Sequence, residues 1–287
     1  MAECTSPYII KDPKKVQLAL RDQGASVPVP CGKCPNCRKR YASGWSFRLM
    51  QEEKRSINAH FITLTYCSKN VPISNAGYMT LDKTHVQKYM KKVRWNHEQK
   101  YGKNILPIRY FAVGEYGGKT NRPHYHLIMY NVDIDLLQPS WEHGGIHYGK
   151  VSEASIGYTL KYCMKPGKIP MHARDDRLPE FRLMSQRLGD NYLTPGNIKW
   201  HIADVTGRAY CVTADGKKLT MPRYYKDKVY DQVERKRLAH YYATEMTKKT
   251  DELIRKNGSD YFRKMREVEK HELQKMWSKA QHGRNKI

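Results

Sequence analysis

The sequence of 287 residues contains no apolar run that approaches the roughly 18 consecutive residues needed to span a membrane. Its beginning, MAECTSPYIIKDPKK, lacks the basic and then apolar layout of a secretory signal. Long internal repeats and low-complexity tracts are absent too. These absences argue against an integral membrane or secreted protein and predict a soluble intracellular one. The length is enough for one large domain, or two small ones, with a substantial core.

Acidic side chains are scarce. Asp and Glu total 28 against 52 Lys and Arg, so the formal net charge is +24 and the pI is near 9.7. Such an excess repels itself unless an anion neutralises it, and nucleic acid is a better candidate than an anionic membrane or a purely solubilising role. The 21 tyrosines and 5 tryptophans favour nucleic acid, because rings between cations stack on bases. Trp45, Trp95 and Trp200 are candidates, although core packing is the more common role of tryptophan.

The cysteine pattern indicates a metal site rather than disulfides. The chain has an odd number of cysteines, seven, at positions 4, 31, 34, 37, 67, 163 and 211. In PCGKCPNC the spacing of Cys31, Cys34 and Cys37 fits zinc better than an iron–sulfur cluster or free thiols. Cys4 is the preferred fourth ligand and Cys67 the alternative. Four thiolates leave no open position, so this zinc is expected to be structural.

Patterning divides the chain into four regions. Residues 1–56 form a cysteine-rich zinc module with a first helix over about 41–55. Residues 57–170 carry the clearest elements, 171–227 form an irregular extension expected to pack on that core, and 228–287 form a basic helical tail. Alternating or helical periodicity places elements within 57–170: strands in 59–67, 108–118, 122–132 and 144–151, and helices in 79–102 and 152–165. The predicted fold class is therefore α+β, with a central antiparallel sheet flanked by helices.

One strand and its neighbour carry a candidate metal site. His124 and His126 lie two residues apart in a predicted strand, so both imidazoles point to the same face. Glu115, at the end of the preceding strand, is the candidate third ligand. Two imidazoles and one carboxylate leave open positions on a divalent cation, as a catalytic site requires. The alternative is a pair of strand histidines that only pack or form hydrogen bonds.

The helix over 152–165 repeats Tyr-x-x-Lys in register. Tyr158 and Tyr162 are four residues apart and therefore share one face, as do Lys161 and Lys165. One interpretation is an amphipathic helix with the tyrosines inward and the lysines solvated. The other is nucleophilic catalysis, in which a tyrosine attacks a phosphate that a metal polarises and the lysines hold phosphates or stabilise developing charge.

Three segments resemble, in order, the motifs of the HUH endonuclease superfamily: FITLTY (61–66), GEYGGKTNRPHYHL (114–127) and YTLKYCMK (158–165). Within it they look most like the rolling-circle replication initiators of small single-stranded DNA phages of the microvirus, gokushovirus-like type. The metal motif of the family normally reads His-hydrophobe-His, and Tyr125 takes the middle position here. The resemblance covers about residues 57–170 and is looser elsewhere, including the cysteine-bearing N-terminus.

The resemblance implies a central antiparallel sheet with metal-binding histidines on a strand and two nucleophilic tyrosines on a neighbouring helix. It implies a metal-dependent nick that leaves a 5′-phosphotyrosine link and a free 3′-hydroxyl, and a later rejoining of strands. The implied cofactors are a divalent cation, Mg²⁺ or Mn²⁺, and a structural Zn²⁺. The implied partners are single-stranded origin DNA, a host helicase and a host polymerase in the cytoplasm of the bacterial host. Neither a membrane nor a small-molecule substrate is expected.

Basic residues near these motifs are candidates for DNA binding. Arg38, Lys39 and Arg40 directly follow the cysteines, with a solvated face as the alternative interpretation. Arg122 precedes the histidines, and Arg223 lies in the aromatic and basic segment PRYYKDK.

Two other functions stay open at this point. One is a non-catalytic zinc-containing protein that coats or packages single-stranded DNA, which charge, aromatic content and the cysteines fit equally well. The other is a relaxase or transposase of the same superfamily, which shares the metal site. The paired tyrosines favour a replication initiator over both.

Overall fold

The computed structural model describes residues 4, 6–10, 27–103, 106–118, 120–164 and 169–282. In chain order the strands are β1 (Tyr8–Ile10), β2 (Val27–Val29), β3 (Ala59–Thr65), β4 (Arg109–Tyr116), β5 (Pro123–Tyr130), β6 (Ile146–Lys150), β7 (Phe181–Met184), β8 (Tyr210–Val212) and β9 (Lys218–Thr220). The α-helices are α1 (Pro35–Arg55), α2 (Lys83–Tyr101), α3 (Leu137–Ser140), α4 (Glu153–Met164), α5 (Pro195–Ile202), α6 (Arg223–Val229), α7 (Gln232–Asn257) and α8 (Tyr261–His282). Of the described helices, none is long and apolar enough to cross a membrane.

The chain divides into two compact units. The first, here named the sheet unit, comprises residues 46–191 and 278–287. The second, here named the cysteine unit, comprises residues 1–45 and 192–277. The four regions predicted from the sequence stay a prediction, because they were drawn from patterning rather than from compactness.

The sheet unit is built on a five-stranded antiparallel sheet in the order β6-β3-β5-β4-β7. Strands β4 and β5 form a hairpin whose register pairs Glu115 with His124. Its turn closes where the Gly117 amide donates to the Arg122 carbonyl at 2.9 Å. Strand β3 lies on the other side of β5 and pairs Thr63 with His126.

One face of this sheet carries the hydrophobic core. Alternate side chains of the central strands pack against one stripe of α2; they are Ile62, Leu64, Tyr125, Leu127 and Met129 on the strands and Val86, Tyr89, Met90 and Val93 on the helix. All of these side chains are almost completely buried. Each contributes about 1.5–3 kcal/mol by leaving water, so this face fixes the register of the sheet. The opposite face is thereby determined as well, and it carries the polar site described below.

A buried ion cluster ties the end of α1 to the sheet. The Glu52 side chain is fully buried, and its Oε2 accepts from Arg55 at 2.8 Å and from the Gly189 amide at 2.7 Å. Its Oε1 lies 2.6 Å from Arg109 Nε at the start of β4. The carboxylate therefore joins a helix, a strand and the segment that follows β7.

The cysteine unit contains two small antiparallel strand pairs, β1 with β2 and β8 with β9, and helices α5 to α8. Helix α7 begins at a capping box in which the Asp231 and Glu234 side chains accept hydrogen bonds from each other's backbone amides. It ends at Asn257, and a short 3₁₀ turn over Gly258–Asp260 precedes α8. A break near Asn257 in a helical C-terminal region is thus confirmed.

The predicted α+β class with an antiparallel sheet and flanking helices is confirmed. The first helix starts at Pro35 rather than near residue 41, because proline is tolerated in the first turn of a helix. Residues 171–227, predicted to hold few elements, supply β7, which is the edge strand of the sheet. Core packing is wrong for two tryptophans: Trp45 is buried, but Trp95 is 61% exposed and Trp200 is 38% exposed.

Candidate active site and cysteine cluster

Glu115, His124 and His126 meet on the face of the sheet opposite the hydrophobic core. Strand pairing places Glu115 directly across from His124, and alternation along β5 brings His126 to the same face. Glu115 Oε1 lies 2.6 Å from His124 Nε2 and 3.3 Å from His126 Nε2. One ligand atom from each residue lies within 4.8 Å of the others, so the three side chains could hold a metal ion.

The hydrogen bonds on the far side of each imidazole orient both rings. His124 Nδ1 lies 3.2 Å from the Arg122 carbonyl oxygen, which can only accept, so this nitrogen carries the proton. His126 Nδ1 lies 2.9 Å from Thr63 Oγ1 on β3. Outer contacts of this kind fix the tautomer and direct the Nε2 lone pair toward a metal. Thr63 was not predicted as a site residue, and only its place in the middle of FITLTY marks it.

The donor set fits a bound cation. Glu115 is buried, which would raise its pKa, but hydrogen bonds from His124 and His126 outweigh burial and lower the pKa to about 2. With Nδ1 of His124 protonated, its Nε2 and the facing Glu115 oxygen are both acceptors, so a proton or a cation must lie between them. Glu115 Oε2 is buried and has no hydrogen-bond partner among the described residues. Buried polar atoms are normally paired, so this carboxylate oxygen is suited to serve as a metal ligand.

Tyr158 lies beside this triad on α4. The helix starts where Ser152 and Ser155 exchange amide-to-hydroxyl hydrogen bonds, and Ile156 and Leu160 bury its apolar side. The half-buried Tyr158 ring packs edge-on against His126, with ring centroids 5.3 Å apart and planes at 83°. It also meets Phe61 of β3 edge-on, at 6.1 Å. The helix therefore brings a phenol next to the histidines, as the motif predicted.

The remaining residues of the tandem motif are placed in part. Lys161 Nζ lies over the Tyr158 ring, 5.8 Å from its centroid, so a cation accompanies this phenol. Tyr162 is one turn further along α4, where residues four apart share a face about 6 Å apart. The Tyr162 side chain and all of Lys165 lie outside the described residues. The catalytic roles of these four residues stay predictions.

Cys4, Cys31, Cys34 and Cys37 gather in one cluster, as the sequence predicted, with all sulfur atoms within 4.8 Å of one another. Cys67 is exposed and is not part of it. Cys4 and Cys34 have Sγ atoms 3.8 Å apart. Tetrahedral geometry with zinc–sulfur bonds of about 2.3 Å gives nearly the same separation.

Backbone amides converge on these sulfur atoms. Amides of Lys33 and Cys34 approach Cys31 Sγ at 3.4 and 3.2 Å, and the Cys37 amide approaches Cys34 Sγ at 3.5 Å. Burial raises the pKa of the Cys37 thiol to about 12 and also raises that of Cys4. A bound cation would favour the thiolates in spite of this burial. The four sulfurs therefore fit a metal ion.

The predicted DNA-binding residues differ in their surroundings. Arg38 donates to the Lys33 carbonyl at 2.7 Å, and Lys39 pairs with Glu272 of α8 at 2.8 Å. Arg40 lies near Lys226, whose pKa burial lowers first and the Arg40 charge lowers further. DNA binding by these three residues stays a prediction.

The other two candidates lie in different units. In the sheet unit, Arg122 donates to the Tyr66 carbonyl at 2.8 Å and so braces the hairpin turn next to the histidines. In the cysteine unit, the Arg223 side chain is 93% exposed, with Asp227 3.5 Å away. Their roles in DNA binding also stay predictions.

Known proteins similar to this chain come from small phages. Residues 59–167 match the family of the replication-associated protein ORF2. Replication-associated protein ORF2 of Spiroplasma virus 4 is 26% identical over 218 residues, covering 69% of this chain and 66% of the relative. Replication-associated protein VP4 of Bdellovibrio phage phiMH2K is 26% identical over 238 residues, covering 76% and 71%. Replication-associated protein ORF4 of Chlamydia phage 1 is 23% identical over 227 residues, covering 70% and 53%.

No solved structure matches the chain significantly. The family match contains all three motifs, and the relatives confirm the resemblance to the replication initiators of microviruses. The chain spans about two thirds of the length of the first of these relatives and about half that of the third. The metal triad and Tyr158 lie within the matched residues.

Proposed function

We propose that this protein initiates rolling-circle replication by nicking single-stranded origin DNA with a tyrosine nucleophile. The observation that carries the proposal is the meeting of Tyr158 with the Glu115, His124 and His126 triad on one face of the sheet. A DNA-coating protein needs the positive charge and the rings, but it has no need for a buried carboxylate with an unpartnered oxygen beside a phenol.

The proposed reaction exchanges one phosphate ester for another. The oxygen of Tyr158 or Tyr162 forms a bond to the scissile phosphorus, and the bond from phosphorus to the 3′-oxygen breaks. The phenolic proton passes to solvent, and the departing oxygen takes up a proton to become a free 3′-hydroxyl. Attack by a 3′-hydroxyl on the tyrosyl phosphate reverses these steps and rejoins a strand, because the bond energy is retained in the tyrosyl ester.

The protein groups have separate roles in this scheme. Glu115, His124 and His126 would hold Mg²⁺ or Mn²⁺, which supplies Lewis-acid stabilisation of charge on the phosphate. Thr63 holds the ring of His126 in the orientation that such an ion requires. Lys161, over the ring of Tyr158, favours the negative charge of a phenolate before attack.

The cysteine cluster would hold a structural Zn²⁺ that braces the cysteine unit. Four sulfur ligands leave no position for substrate, so no step of the nick is assigned to this site. The proposed partner is single-stranded origin DNA in the bacterial host, with a host polymerase extending the 3′-hydroxyl and a host helicase as a further candidate.

The experiment is incubation of the full chain with single-stranded DNA carrying the cognate origin and added Mn²⁺ or Mg²⁺, followed by a denaturing gel. We expect a covalent adduct that migrates with the protein and that is absent when a chelator is present. Incubation of the recovered adduct with a strand ending in a 3′-hydroxyl should release the protein and join the strands. Absence of an adduct with every metal on origin DNA, alongside retained binding, would instead assign the protein to DNA coating.

A further inference from the structure

In the cysteine unit, a surface made of Trp200, Arg208, Tyr210 and Lys218 alternates aromatic rings with cations; we name it the ring–cation patch. Arg208 lies 5.1 Å from the centroid of the Trp200 ring, and Lys218 Nζ lies 4.4 Å from that of the Tyr210 ring. The two rings meet edge to face, with centroids 5.6 Å apart and planes at 87°. The four side chains thus form one continuous row, built from helix α5, the loop after it and the hairpin β8–β9.

The hairpin turns this patch toward solvent. Its register pairs Tyr210 with Thr220, Cys211 with Leu219, and Val212 with Lys218. Cys211 is fully buried, so the alternation of the strand directs Tyr210 and Val212 to the outer face, where Val212 is 47% exposed. Lys218 is exposed on that face, and Tyr210 is half-buried.

The support beneath the patch is rigid. His201, next to Trp200, is fully buried, and its two ring nitrogens lie 2.7 Å from the Arg208 carbonyl oxygen and 3.0 Å from the Tyr192 hydroxyl. Arg208 Nη1 also donates to the Trp200 carbonyl at 3.2 Å. Helix and loop are thereby joined on both sides of the tryptophan, so its ring is held at the surface at little further entropic cost when a ligand binds.

The cations of the patch differ from most basic side chains around them. Elsewhere in this unit cations have carboxylate partners, as Lys39 has Glu272 and Arg263 has Asp260. Among the described residues, neither Arg208 nor Lys218 forms an ion pair with a carboxylate, and each has a ring as its neighbour instead. Cations beside exposed rings, in a chain of net charge +24, are complementary to a flexible polyanion with flat faces.

From this arrangement we infer that the ring–cation patch binds single-stranded DNA by stacking a base on Trp200, while Arg208 and Lys218 contact the flanking phosphates. The inference rests on the proposed function only in taking DNA as the partner. The patch involves none of the metal-binding or nucleophilic residues, so it would hold the strand without taking part in the nick.

The test measures binding of a fluorescein-labelled single-stranded oligonucleotide by anisotropy, with no divalent cation added. Because the ring is proposed to stack one base, Trp200→Ala should weaken binding by about tenfold or more, and Trp200→Phe should weaken it less. Trp95→Ala is the matched control, since Trp95 is more exposed and no described cation lies over its ring. The control should bind as tightly as the unaltered protein.

Two further measurements separate stacking from charge. On an oligonucleotide of abasic sugars, Trp200→Ala and the unaltered protein should bind equally. Arg208→Gln with Lys218→Gln should reduce the slope of log Kd against log salt by about 0.7 for each phosphate that the variant no longer neutralises. If Trp200→Ala does not melt cooperatively, Trp200→Phe and the double cation variant decide the question.

Several outcomes would overturn the inference. They are unchanged affinity in Trp200→Ala, an equal loss in Trp95→Ala, or displacement of the DNA by an acidic peptide at the same charge concentration, which would assign the patch to a protein partner. Failure of the proposed function has another signature: no covalent adduct forms, yet binding is normal and depends on Trp200.

Discussion

His126 and Tyr158 meet edge to face, with ring centroids 5.3 Å apart, although one lies on a central strand and the other on a helix. The strand fixes the imidazole through Thr63, and the helix fixes the phenol through its buried Ile156 and Leu160. The pair thus joins the metal triad to the first of the two tyrosines, and it gives the proposed chemistry a defined geometry to test.

The two tyrosines make distinguishable contributions if they alternate as nucleophiles. Either Tyr158→Phe or Tyr162→Phe alone should then leave initial cleavage while impairing strand transfer. The double variant should lose cleavage by about 10³-fold or more, because no nucleophile remains. A denaturing gel reports the adduct, and ligation of a second labelled strand reports transfer. Complete loss from one substitution, with no effect of the other, would rule out alternation.

Replacing His126 should separate catalysis from binding. His126→Ala is expected to abolish metal-dependent cleavage while leaving affinity for single-stranded DNA largely intact, because the imidazole is proposed to hold the cation rather than the strand. His147→Ala is the matched control: His147 lies on the other side of Thr63 in the same row of the sheet but is exposed. An equal loss of DNA binding in His126→Ala would mean that this histidine is structural.

Thr63 should tune the metal site without being a ligand. Thr63→Val removes the hydroxyl 2.9 Å from His126 Nδ1 and should weaken Mn²⁺ binding by about 10–100-fold, as measured by calorimetry. Thr63→Ser keeps a hydroxyl and should stay close to the unaltered protein. Equal Mn²⁺ affinity in the serine and valine variants would show that the hydrogen bond does not orient the ring.

Cys4 is expected to be the fourth zinc ligand. Zinc binding is worth about 10–16 kcal/mol in small zinc domains, so Cys4→Ser should lower the zinc content and the melting temperature. Cys67→Ser, which alters an exposed cysteine outside the cluster, should change neither. The measurements are zinc per chain after dialysis and a thermal melt. Loss of zinc in Cys67→Ser with retention in Cys4→Ser would reverse the assignment.

Glu52 should be important for stability rather than for catalysis. Glu52→Gln removes a fully buried charge and leaves Arg55 and Arg109 without it, at an expected cost of about 3–5 kcal/mol in the free energy of unfolding. Glu142→Gln is the comparison, because Glu142 pairs with Lys92 but its side chain is 71% exposed, and such pairs are worth about 0–1 kcal/mol. Denaturant unfolding measures both. Equal effects would mean that water reaches Glu52.

Local periodicity in the sequence predicted much of the sheet unit. The alternation of β5 placed His124 and His126 on one face, and the hairpin signal before it brought Glu115 near them. Cysteine spacing predicted the cluster with Cys4. These predictions were possible because side-chain direction along a strand, and ligand spacing along a loop, depend on residues close in sequence.

Other features depend on pairings between distant segments. Thr63 contacts His126 only because β3 pairs with β5 in one register, and β7 is too short to be recognised before it joins the sheet edge. The same holds for the exposed Trp200, whose surroundings come from a loop and a hairpin that follow it.

By itself, then, the sequence determined the chemical groups and their local order: the Glu-His-His donors, the repeated Tyr-x-x-Lys and the four thiols. Only the tertiary structure decided that Tyr158 faces His126, that Thr63 orients that ring, and that Glu115 keeps one buried oxygen without a partner among the described residues. The physical reason is that a side chain's direction is set by its own strand or helix, whereas its neighbours are set by how those elements pack.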